Sequence, residues 1–123
     1  MTGQPIPAPL PYRPSRTRTD LFTALYRAQK EFGGSKVILV DGDDRELTYK
    51  EIIRGAFALG SALRKGTKAG EAVGLMLPSG AGAVVGFYAL SAFNRVPAML
   101  NFTAGSRNLK AAMKAADISR IVT

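Results

Sequence analysis

At 123 residues, 46% of them hydrophobic and 21% charged, the chain has the size and composition of one folded domain at most. It contains no Cys and no His, which excludes disulfides, Cys-based metal sites, and imidazole as general base or ligand. A net charge of +8, from 17 Lys and Arg against 9 Asp and Glu, is spread without a dense basic run among aromatics; it predicts solvated helix faces rather than a nucleic-acid interface.

Residues 1–18 carry Pro5, Pro7, Pro9, Pro11 and Pro14 and few large apolar groups. They predict an extended, poorly ordered arm or linker, without the apolar stretch of a signal peptide. Residues 19–123 form the predicted α/β segment. Asp20 can cap a helix over 21–32, in which Leu21, Leu25 and Ala28 recur at helical spacing, and Gly33-Gly34 ends it. Lys36–Val40, the turn Asp41-Gly42-Asp43-Asp44 and Arg45–Thr48 predict a β-hairpin. That acidic turn is too short for an EF-hand loop and lacks its closing Glu. Thr48-Tyr49-Lys50-Glu51 spells a capping box for a helix over 49–65, which buries Ile52, Ile53, Ala56, Leu59 and Leu63 and stops at Gly66.

No charged side chain occurs between Glu71 and Arg95, yet Pro78-Ser79-Gly80 divides the stretch. A membrane span would not tolerate those breakers at its centre, whereas strand, turn and helix explain them. The predicted order is strand 72–77, helix 79–94, strand 96–100, helix 106–116 and strand 119–123. Alternating β and α elements imply right-handed crossovers and a parallel sheet. The fold class is therefore α/β: a partial parallel sheet with flanking helices, preceded by an N-terminal β-hairpin. Three strands ending at Thr123 predict a piece of a larger layer, whose uncovered apolar surface would pair with the remainder of the domain or with another copy of itself.

Chemistry is sparse. Gly80-Ala81-Gly82-Ala83-Val84-Val85-Gly86 misses the dinucleotide fingerprint by one residue, and no acid between Glu71 and Asp117 could hold a ribose hydroxyl. The small residues instead suit close packing of a helix on a sheet. No catalytic, cofactor-binding or metal-binding constellation is evident. The one loop with a claim to ligand contact is Asn101-Phe102-Thr103-Ala104-Gly105, past the carboxyl end of strand 96–100, with Asn101 and Thr103 as candidate side chains. The competing reading has Asn and Gly turning the chain and Ser106 capping the next helix.

The runs LTYKEI, EAVGLMLPSGAGAVVGFYALSAFNRVPAMLNFTAG and LKAAMKAADISRIVT resemble the start of an AMP-forming acyl ligase of the acyl-CoA synthetase and luciferase superfamily. PAMLNFTAG and AADISRIVT are similar to the branch in which an acyl-acyl-carrier-protein synthetase is joined to a 2-acylglycerophosphoethanolamine acyltransferase. The resemblance covers about residues 20–123. It implies part of a larger ligase N-terminal domain, an ATP- and Mg²⁺-dependent full-length enzyme that forms an acyl-adenylate, and transfer of a fatty acid to the thiol of acyl carrier protein or CoA. It further implies a cytoplasmic protein, peripheral to the inner membrane if linked to lysophospholipid reacylation. The family's phosphate loop, ribose-binding acid and catalytic Lys find no matching positions, so this segment alone is expected to be inactive and to bind no cofactor. Phe102 follows Asn101 where the superfamily often has Asn-Pro, as the acyltransferase-linked branch tends to have an aromatic. Two other readings compete: a small basic module that docks acyl carrier protein or anionic membrane, and a dinucleotide-binding fragment.

Overall fold

The computed structural model describes residue 3 and residues 5–123. Met1, Thr2 and Gln4 of the predicted arm lie outside the described residues. The rest of the arm is exposed and without regular structure apart from one short 3₁₀ turn at Pro14–Arg16. Arg16 Nη2 donates to Glu31 Oε1 at 3.2 Å, a half-exposed ion pair that ties the arm to the first helix.

Helix α1, Leu21–Phe32, starts where Asp20 accepts from the backbone N–H of Thr23 and its hydroxyl, and ends at Gly33 with φ 96°. Strands β1, Val37–Val40, and β2, Glu46–Thr48, pair antiparallel with an irregularity between Val37 and Leu39. Asp41 builds their turn: its Oδ1 accepts from the backbone N–H groups of Asp43 and Arg45 at 3.0 and 3.1 Å. Helix α2, Tyr49–Leu63, opens on the predicted capping box. It ends two residues earlier than predicted, because Arg64–Gly66 tightens into a 3₁₀ turn. Ile52, Ile53, Ala56 and Gly60 are its buried positions, while Leu59 and Leu63 are half-buried.

The parallel sheet follows in the predicted order: β3, Ala72–Leu75; α3, Ala81–Ala92; β4, Val96–Met99; α4, Ser106–Ala115; β5, Ile121–Val122. The elements are shorter than the apolar runs suggested, since Met76–Gly80, Leu100–Gly105 and Ala116–Arg120 serve as connections. Strand order is β4-β3-β5, all parallel, with Gly74 opposite both Ala98 and Ile121. Chain travel from β3 to β4 and from β4 to β5 therefore runs in opposite directions across the sheet. Right-handed crossovers then put α3 and α4 on opposite faces. Among the described residues no helix is long and apolar enough to cross a membrane.

On one face α3 packs against β3, β4, α1 and α2, so it is apolar on every side and carries no charge. Its small residues allow close approach. A Cβ on Gly86 would meet Leu75 Cδ1 at 2.9 Å, and one on Gly60 of α2 would meet the Ala89 carbonyl oxygen at 2.6 Å. Val73, Leu75, Leu90, Ala56 and Ala89 are all but sealed from solvent in this layer. Phe22, Phe57 and Phe93 join α1, α2 and the end of α3 edge-to-face, at 5.0 and 6.2 Å between centroids. Helix α4 buries none of its own residues on the other face.

Edge strand β4 accommodates Pro97 for a simple reason. Val96 and Leu100 donate their N–H groups to the carbonyls of Glu71, just before β3, and Leu75, so the intervening positions 97 and 99 point their nitrogens away from the sheet. The missing proline N–H therefore costs no ladder bond.

Candidate functional site

Parallel strands bring every connection that leaves them to one edge, here the loops Met76–Gly80 after β3 and Leu100–Gly105 after β4. Because the connections on either side of β3 diverge, the carboxyl end of that strand is where an open α/β sheet offers a crevice. A hollow of about 400 Å³ lies here, bounded by Leu77, Pro78, Ser79 and Gly80 and by Asp41 and Asp43 of the hairpin turn. Helix α3 starts at this hollow from Gly80 with no side chain capping its first turn. Asp41 has one carboxylate oxygen committed to the hairpin turn, so it holds the wall in shape.

The two predicted side chains sit in the neighbouring loop and bond to each other. Asn101 Oδ1 accepts from the Thr103 backbone N–H at 2.9 Å and from the Thr103 hydroxyl at 2.7 Å. Ala104 donates its N–H to the Asn101 carbonyl at 3.2 Å, closing the turn. Both side chains are exposed, and neither lines the hollow beside β3. Between them Phe102 projects into solvent, 57% exposed. Ser106 does not cap α4. Gly105 occupies the cap position with φ 84°, and Ser106 is already the first helical residue, where its hydroxyl makes no capping bond.

An apolar groove of about 320 Å³ runs along the same side of the sheet, lined by Ala83, Val84, Phe87 and Tyr88 of α3 and Met99 of β4. It is almost wholly apolar, and Tyr88 carries its one side-chain polar group. Residues 25–123 match the model of the AMP-binding enzyme family. The chain belongs to that family.

Solved structures agree on the fold. The N-terminal subdomain of Klebsiella oxytoca NpsA superposes with a TM-score of 0.78 at 19% identity, over 85% of this chain and 27% of that one. VinN, solved in complex with L-aspartate, gives 0.78 at 22% identity over 85% and 27%. The anthranilate CoA ligase AuaEII, in complex with anthranoyl-AMP, gives 0.76 at 21% identity over 84% and 20%. The chain thus spans about a quarter of the length of the structures it matches.

No group of three carboxylates or other metal-ligating side chains comes together among the described residues. Of the glycines in 80–86, Gly80 starts α3 and Gly86 packs against Leu75, while Gly82 faces open space. Sequence reasoning missed the juxtaposition of the acidic hairpin turn with the β3–α3 loop. It arises from packing of the hairpin unit on α3 through Leu39, Leu47 and Val84, and no local motif announces it.

Proposed function

We propose that this chain is the N-terminal α/β segment of an AMP-forming acid–thiol ligase, in which it acts as scaffold rather than catalyst. The observation that carries the reading is the family match across residues 25–123, supported by a sheet whose carboxyl edge is open and uncharged apart from the hairpin turn. The full-length enzyme would use ATP and Mg²⁺ to convert a carboxylic acid into an acyl-adenylate, making a poor leaving group a good one, and would pass the acyl group to a thiol. The remainder of the ligase domain would supply the groups that clamp the phosphates.

The finer reading is a fatty acid as substrate and the thiol of acyl carrier protein or CoA as acceptor, in a cytoplasmic enzyme linked to lysophospholipid reacylation. Its support is the wording PAMLNFTAG and AADISRIVT. In this segment the groove along α3 and β4 offers aliphatic and aromatic walls without a charged side chain, a lining suited to hydrocarbon. The test is hydroxylamine trapping of the activated acid by the protein read through beyond Thr123, with fatty and aromatic acids in parallel, followed by acyl transfer to carrier protein or to CoA. Trapping of fatty acids and transfer to carrier protein support the finer reading. Trapping of aromatic acids alone overturns the fatty-acid assignment and leaves the ligase.

A further inference from the structure

The edge opposite the carboxyl loops has a different character. The three connections that enter the parallel strands all bring a cation to it: Lys68 ahead of β3, Arg95 ahead of β4 and Arg120 ahead of β5. Arg64 and Lys65, in the 3₁₀ turn that ends α2, lie on the same edge. Arg95 is the organiser. Its guanidinium donates to Thr67 Oγ1 at 2.9 Å, to the Phe93 carbonyl at 2.6 Å and to the carbonyls of Arg64 and Thr67, which locks the Arg64–Thr67 turn to the start of β4. Arg64 stacks on the Phe93 ring at 5.3 Å. The Arg120 guanidinium lies over the same turn, 3.0 Å from where a Cβ on Gly66 would stand.

One five-residue turn therefore carries Arg64, Lys65 and Lys68, and the Arg95 and Arg120 guanidinium groups lie against it. Among the described residues none of them is in an ion pair. The acids of this edge are Glu71 and Asp117, and Glu71 turns one carboxylate oxygen inward, away from solvent and from any donor. An open cleft of about 380 Å³ lies beside the turn, between Leu63, Gly66 and Thr67 on one side and Arg120, Ile121 and Val122 on the other. Unpaired like charges held together by a dedicated staple repel unless an anion joins them, and the planar fork of Arg suits phosphate. We infer that the turn Arg64–Lys68 with Arg120 forms a phosphate-ester site on the amino edge of the sheet, remote from the carboxyl-edge hollow.

Calorimetric titration of the full chain with pyrophosphate at fixed ionic strength reads this directly. A saturable site is expected, weakened about tenfold or more by Arg120→Gln and, independently, by the exposed pair Lys65→Gln and Lys68→Gln. Sedimentation with phosphatidylglycerol vesicles, against phosphatidylcholine controls, distinguishes the source of the phosphate. Vesicle binding lost in the same variants assigns the site to a lipid headgroup. Pyrophosphate saturation without vesicle binding assigns it to a free phosphate group. Response to neither probe, or binding that both sets of variants retain, overturns the site.

Discussion

Replacing Gly60 by Ala puts the α2–α3 seam to the test with a single methyl group. A Cβ at this position would stand 2.5 Å from Phe93 Cδ2 and 2.6 Å from the Ala89 carbonyl oxygen. Phe93 can swing, but the carbonyl belongs to the backbone of α3, so the helices must separate by several tenths of an ångström. Overpacking of this kind costs about 1–3 kcal/mol. Ala offsets roughly 1 kcal/mol of that by its better helix propensity. The net loss is up to about 2 kcal/mol, a fall in melting temperature of up to about 10 °C for a domain of this size. Gly82→Ala is the matched control. It lies in the first turn of α3 with nothing within 4 Å of the new Cβ, so it gains up to about 1 kcal/mol. Thermal denaturation followed by circular dichroism separates the two. If Gly60→Ala melted at or above the parent, as Gly82→Ala should, the close approach of the helices would be wrong.

Thr48→Ala removes the hydroxyl that accepts from the Glu51 N–H, and should cost about 1 kcal/mol in denaturant titration without changing the slope. Arg95→Lys keeps the charge and loses the fork. A single ammonium cannot reach all four acceptors that the guanidinium spans, so the change should destabilise by about 2 kcal/mol, read by the same titration. Asp20 is held below its ordinary value of 3.8, first by the side-chain hydrogen bond from Thr23 and then by the backbone one. A depressed carboxylate stabilises the fold above its unfolded pKa, and that contribution fades as pH falls through the folded value. Asp20→Asn, which still caps a helix, should flatten the acid limb of the stability–pH curve and leave neutral pH nearly unchanged.

What the sequence announced was whatever local chemistry dictates. Asp20, Thr48 and Glu51 set helix starts through hydrogen bonds three residues apart, and the structure has all three. The β-α-β-α-β order and parallel pairing followed from apolar runs separated by breakers, and Ile121–Val122 does join the sheet beside β3. Element ends were less legible. Strand 72–77 stops at Leu75 and strand 119–123 shrinks to two residues, since an apolar run does not reveal where its hydrogen-bond partner ends. The cap of α4 moved from Ser106 to Gly105 because backbone sign at one residue, not hydroxyl chemistry, decides it. The candidate side chains Asn101 and Thr103 lie on the loop after β4, and the structure spends their polar atoms on each other. The hollow beside β3 and the cationic turn at the amino edge depend on residues far apart in the chain, such as Asp41 with Ser79 and Gly66 with Arg120. Neither pairing leaves a trace in local spacing.

The scaffold assignment meets its most direct test in ATP–pyrophosphate exchange, run with fatty and aromatic acids on the 123-residue chain and on the protein read through past Thr123. The account predicts acid-dependent exchange by the longer protein and none by the chain alone. Exchange catalysed by the 123 residues unaided, or a longer protein inert toward every acid, would contradict it.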